Sequence, residues 1–204
     1  YDADGYRNTM TGLNGGSNSG RRTSVLYRVN STGTDLLDLT LYGPATINAN
    51  QENAAQALSL SPDRVFIGGY TNMDLPNTAN AFDGVRGGTH DGFIAVFSKT
   101  LDVLHYGSYL GSNNADLLGV TSIQALTDTT YVCGLTTAGD LGATYVPVAA
   151  YDITYNGSTD MYLCKFNRIN TLSWGTYVGG SSAETFNDLE VFPDGRITFA
   201  GWGA

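Results

Sequence analysis

Lysine is almost missing from this chain. Of 204 residues only Lys99 and Lys165 are lysine, and with the arginines they make 10 cationic groups against 19 acidic ones. The formal net charge of −9 repels phosphate backbones, so nucleic acid is not an expected partner. Long apolar runs are missing as well: none reaches the ~18 residues of a membrane helix, so no membrane insertion is expected. No stretch holds an apolar stripe at helical spacing over three turns, which leaves little or no room for helix. Histidine (His90, His105) and cysteine (Cys133, Cys164) occur twice each. They form no HExxH, GxSxG or paired-cysteine motif, so neither a cofactor nor a metal is expected.

What the chain has is glycine, 26 residues of it, and many Asn, Ser and Thr between short apolar runs. Frequent turn residues between short runs predict many short strands. A hydrophobic share of 42% is ordinary for a folded domain.

Three landmarks recur in fixed order. The first is a Tyr/Leu-x-Gly ending at Leu41–Gly43, Tyr109–Gly111 and Tyr177–Gly179; glycines 43, 111 and 179 are 68 apart each time. The second is a short strand closing on Gly69, Gly134 or Gly201, at spacings of 65 and 67. The third is DGFIAVFS from Asp91, matched 69 residues later by DMYLCKFN from Asp160, with a degenerate copy, TSVLYRVN, from Thr23. An aromatic-Asp pair lies between the second and third landmarks: Phe82-Asp83, Tyr151-Asp152 and, one unit earlier, Tyr1-Asp2.

Self-similarity at a fixed period of about 68 residues predicts a repeat architecture. Each unit reads as four strands. In the first whole unit these are 55–60, 65–69, 93–97 and 103–110, with a tight turn at Ser61-Pro62-Asp63 and a long loop after the second strand. Four antiparallel strands per unit, consecutive units and no helix are the plan of a β-propeller blade. The expected fold is all-β, a partial β-propeller over 1–204 with an incomplete ring. It divides into a half-blade (1–40), two blades (41–108 and 109–176) and a half-blade (177–204). An unclosed arc of this kind calls for the remaining blades of the same or another chain as partners.

The motifs YVGGS (177–181), CGLT (133–136), LPNTANAF (75–82) and MYLCKFN (161–167) resemble the bacterial seven-bladed β-propeller repeat often called SBBP. The resemblance covers nearly the whole chain and is weakest over 3–40; the first unit departs from it, with Thr23 in place of the aspartate of the other units and Pro44 following Gly43. It implies an exported bacterial surface protein, extracellular or on the cell surface, and no shared catalytic activity. The resemblance implies no ligand; an unknown protein or glycan ligand is expected as a partner of the scaffold.

Residue by residue, no catalytic set emerges. Asp91 and Asp160 recur at one position, where a short acceptor can hold backbone N–H groups of the preceding turn. They are expected to be structural, as are Gly69, Gly111, Gly134, Gly179 and Gly201. Asp2, Asp4 and Gly5 begin a calcium-loop pattern that has no bidentate acid at its end. Arg7, Arg21, Arg22 and Arg28 cluster before residue 30 and read as a solvated face. His105 stands where the next unit has Ser173, an exposed strand position, and His90 sits at a loop-to-strand junction. Cys133 and Cys164 fall on neighbouring strands in place of Gly68 and Ala95; free thiols and a disulfide are both geometrically open. Tyr70, Tyr145, Tyr155 and Trp202 lie in or beside the variable loops, where exposed rings would suit stacking on sugars. Two functions compete: a non-catalytic scaffold for binding or adhesion, and a propeller enzyme acting on polysaccharide with its active site outside this segment.

Overall fold

A computed structural model describes residues 23–44, 50–111, 119–147 and 149–204. Within them the short apolar runs become twelve strands, with no helix. They are β1 (Ser24–Val29), β2 (Leu36–Tyr42), β3 (Asn53–Leu60), β4 (Arg64–Thr71), β5 (Asp91–Ser98) and β6 (Leu104–Leu110). The second half holds β7 (Gly119–Ala125), β8 (Tyr131–Thr137), β9 (Asp160–Asn167), β10 (Thr171–Val178), β11 (Glu184–Val191) and β12 (Ile197–Gly203). Two four-stranded antiparallel sheets, β3-β4-β5-β6 and β7-β8-β9-β10, lie between the hairpins β1-β2 and β11-β12. Each expected strand of the first whole unit is present within two residues of its expected limits. The turn at Ser61 closes through its N–H to the carbonyl of Arg64 at 3.0 Å.

The sheets stack face to face. β7 lies across β3 and β4, and β11 lies across β7 and β8. One apolar cluster fills each interface: Leu26 and Tyr42 meet Phe93, Ala95 and Phe97; Phe66, Ile94 and Val96 meet Val120, Ile123 and Tyr131; Val132 and Leu163 meet Phe186 and Leu189. Covering on both faces explains why β5 is an unbroken apolar run, with Phe93 through Phe97 all buried.

The pairing registers correct one expected equivalence. Asp91 pairs with Thr71, and Asp160 with Thr137. Counting back from those pairs, Gly134 corresponds to Gly68, and Leu135 corresponds to Gly69. Cys133 therefore stands at the position of Ile67, opposite Ala95 in the first sheet; the expected match to Gly68 is off by one. Packing explains the glycine: a Cβ at Gly68 would lie 2.5 Å from a Val120 methyl, and one at Gly134 would lie 2.1 Å from the Phe186 ring. Those two side chains project from the first strand of the following sheet.

A β-bulge sits at one equivalent place in β3, β7 and β11, with Gln56, Thr121 and Asn187 as the extra residues. Each of these is a first strand with a single strand neighbour among the described residues, and a bulge blunts such an edge against further pairing.

The opposite edge is covered by the long loops. Residues 72–90 run along β6: Thr78 N–H bonds Gly107 C=O at 3.1 Å, and Tyr109 N–H bonds Asp83 C=O at 3.0 Å. Leu75 N–H donates to the Tyr109 hydroxyl at 2.6 Å. The second loop repeats the arrangement on β10, with Tyr177 N–H to Asp152 C=O at 3.1 Å and Leu141 N–H to the Tyr177 hydroxyl at 2.6 Å. The tyrosine of the Tyr-x-Gly ending thus anchors a loop through its hydroxyl.

Candidate functional site

The antiparallel order places both long loops at one end of the sheets, together with the end of β6 and the start of β7. The tight turns at 61–63, 99–103, 127–130, 168–170 and 192–196 lie at the other end. Asp91, Asp160, Tyr70, His90, Glu52 and Trp202 all sit at the long-loop end, since each starts, ends or adjoins a strand there.

Asp91 and Asp160 open β5 and β9 and are fully buried. Asp91 accepts from Gly87 N–H at 2.6 Å, and Asp160 from Asn156 N–H at 2.8 Å, so each closes the last turn of its loop. The Tyr-x-Gly glycine lies against this group: a Cβ at Gly179 would fall 2.9 Å from Asp160 Oδ1 and from Glu184 Oε2. In the first hairpin the same place holds Gly43 against the Thr23 hydroxyl, which donates to Tyr42 C=O at 3.1 Å. Gly111 has a different task, its N–H donating to the Tyr145 hydroxyl at 3.1 Å. Gly69 and Gly201 lie opposite the bulges, where added Cβ atoms would meet the carbonyl oxygens of Ala54 and Thr185.

Burial raises the pKa of Asp160; the Asn156 N–H opposes the shift, and Glu184 and Asp152 add to it. The folded protein therefore holds this proton more tightly than the unfolded chain does. The stability it confers is complete below the ordinary aspartate value of 3.8 and is lost as pH rises through the raised folded value. Asp160→Asn keeps an acceptor for Asn156 and carries no charge. Its melting temperature, relative to the unsubstituted protein, is expected to rise between about pH 4 and pH 7. A constant difference across that range would refute the assignment.

The four aromatic candidates do not form one platform. Tyr145 is buried, 5% exposed, with its hydroxyl donating to Asp83 Oδ2 at 3.0 Å. It ties the second loop to the first, and its burial corrects the expectation of an exposed sugar-stacking ring, because the rings of Phe82 and Tyr162 pack edge-on against it. Tyr155 is half-buried, its ring 6.1 Å from Tyr177 and its hydroxyl bonded to Ser158 C=O at 2.7 Å. Trp202 is 57% exposed. Tyr70 is half-buried beside the His90 ring, 6.2 Å between centroids. His90 Nε2 lies 3.6 Å from Glu52 Oε1. Counted along the strands, Tyr70 and Trp202 hold equivalent positions in β4 and β12, each one residue after the bulge-facing glycine.

His105 is exposed on β6. Arg28 pairs with Asp38 across the first hairpin. Arg7, Arg21 and Arg22, with Asp2, Asp4 and Gly5, lie outside the described residues. Cys133 and Cys164 are free, buried and directly opposite each other. Among the described residues no group of three or more His, Cys, Asp or Glu is placed to hold a metal.

Two functional details escape sequence reasoning. Asp83 and Asp152 are the residues by which each loop pairs with its edge strand: both main-chain groups are used, and a side-chain oxygen accepts the N–H of Val85 or Thr154. The aromatic-Asp landmark was the available signal. Glu184, facing Asp160, had none. Comparison with protein-family models and with curated proteins finds no match to this chain.

Proposed function

We propose that this chain is a run of β-propeller blades from an exported bacterial surface protein, built of repeats similar to SBBP, and that it serves as a non-catalytic scaffold for binding or adhesion. The carrying observation is the stack itself: two sheets of identical order, packed face to face, flanked by two complementary hairpins. On this reading 41–108 and 109–176 are whole blades, and 1–40 and 177–204 are half-blades. The carboxylates in the long loops support a scaffold role, because Asp83, Asp91, Asp152 and Asp160 each hold a loop N–H. Such bonds fix backbone and leave those oxygens engaged.

The binding surface is the long-loop end, where Trp202 and Tyr70 offer ring faces to a sugar or to an apolar side chain. Stacking of this kind is lost on truncation. On an array of immobilised neutral and acidic glycans, Trp202→Ala is expected to weaken binding about tenfold, with melting unchanged. Release of reducing ends from any of those glycans would overturn the non-catalytic reading.

A further inference from the structure

Cys133 and Cys164 are the chain's two cysteines, and they are cross-strand partners on β8 and β9. Their sulfurs are 3.2 Å apart, and neither residue is exposed to solvent. The corresponding pair in the neighbouring sheet is Ile67 opposite Ala95. An isolated cysteine there would be one more small apolar residue; here both members of one pair are cysteine. We propose that Cys133 and Cys164 are a modification site, closed as an intramolecular disulfide when the chain folds under oxidising conditions.

Directly opposed residues of antiparallel strands bring their Cβ atoms near the separation a disulfide spans, and closing the remaining gap needs a sulfur movement of roughly 1 Å. The bond forms before the core does. Tyr131, Tyr162 and Phe166 share the cluster that encloses both thiols, and burial pushes the Cys164 thiol up, with Cys133 adding to the shift. In the finished fold the reactive thiolate is therefore scarce and out of reach. During folding, one cysteine thiolate attacks a disulfide oxidant such as oxidised glutathione, releasing one glutathione thiol. The second cysteine thiolate then attacks the protein sulfur of that mixed disulfide and releases the other. Two S–H bonds are lost, one S–S bond is made, and the oxidant leaves as two thiols. Once enclosed, the bond is shielded from reductants for the same reason.

The proposal does not rest on the scaffold reading and is tested apart from it. The protein is refolded from denaturant in a glutathione redox buffer, then unfolded again without reductant and treated with an alkylating reagent. Expected is a monomer mass lower by two hydrogens, with no alkylated cysteine, and melting about 5–10 °C above the reduced form. Cys133→Ile with Cys164→Ala, which copies the neighbouring sheet's pair, is expected to melt near the reduced form and to show no redox response. Two alkylated thiols per chain after oxidative refolding, or disulfides found only between chains, would overturn it. Both readouts are taken on the unsubstituted protein, so they decide the matter even where the double variant fails to fold.

Discussion

Gly134→Val is expected to cost about 3 kcal/mol or more, and to release β11 and β12 from the sheet beneath them. A Cβ at this position would already lie 2.1 Å from the Phe186 ring. That ring cannot retreat, being buried and stacked on Phe199 at 5.6 Å between centroids. Ala200 supplies the control. It holds the equivalent position in β12, opposite Asp188 just beyond the bulge, but no sheet of the described residues covers it and it is exposed. Ala200→Val is therefore expected to be neutral or slightly stabilising, since valine suits a strand. The difference between the two substitutions isolates sheet stacking from strand propensity. Thermal melting followed by circular dichroism reads it, with a drop of roughly 6–12 °C expected for Gly134→Val. Equal effects at 134 and 200 would show that stacking is not the cause.

The second large effect concerns association. β12 corresponds to β4 and β8, each of which has a strand on both sides; among the described residues β12 has one neighbour only, as has β1. Transferring the β4–β5 register places Ala200 opposite Leu26, Gly201 opposite Val25 and Gly203 opposite Thr23 in a sheet shared by two copies. The apolar side of β1 fits that arrangement, with Val25, Tyr27 and Val29 exposed where their counterparts Phe93, Ala95 and Phe97 are buried. Exposed apolar surface beside an unpaired strand edge drives joining of this kind. Head-to-tail pairing generates rings or open chains. The expected result is a mass in solution that grows with concentration, measured by light scattering after gel filtration. Val25→Lys combined with Tyr27→Lys returns it to that of one chain. A monomer at all concentrations, melting in one transition, would sink the reading.

Strand positions were legible because each is a short apolar run bounded by turn residues, a signal carried by neighbouring residues alone. The tight turn at Pro62-Asp63 and the exposed placing of His105 were legible for similar reasons. The equivalence of Gly134 to Gly68 was not. Two adjacent glycines in β4 give two ways to align with one glycine in β8, and it takes the pairing registers and the contact with Val120 or Phe186 to separate them. Nor were the bulges, since Gln56, Thr121 and Asn187 share no chemistry. Tyr145 was misplaced because a loop rich in turn residues reads as exposed, whereas this loop lies along an edge strand and turns its aromatic ring inward. The candidate site was legible in its parts, Tyr70 and Trp202. Their shared position after the bulge-facing glycine needed the register.

The bulged first strands and the loop-covered fourth strands together fix the direction in which this protein can change size. Neither side of a four-stranded sheet accepts another strand, so the molecule has a set width. Stacking of sheet on sheet has no such limit. A further four-stranded sheet stacked on a face would leave every covered edge as it was. Loop sequence, meanwhile, is held by its duty to a neighbouring strand even where it never meets a ligand.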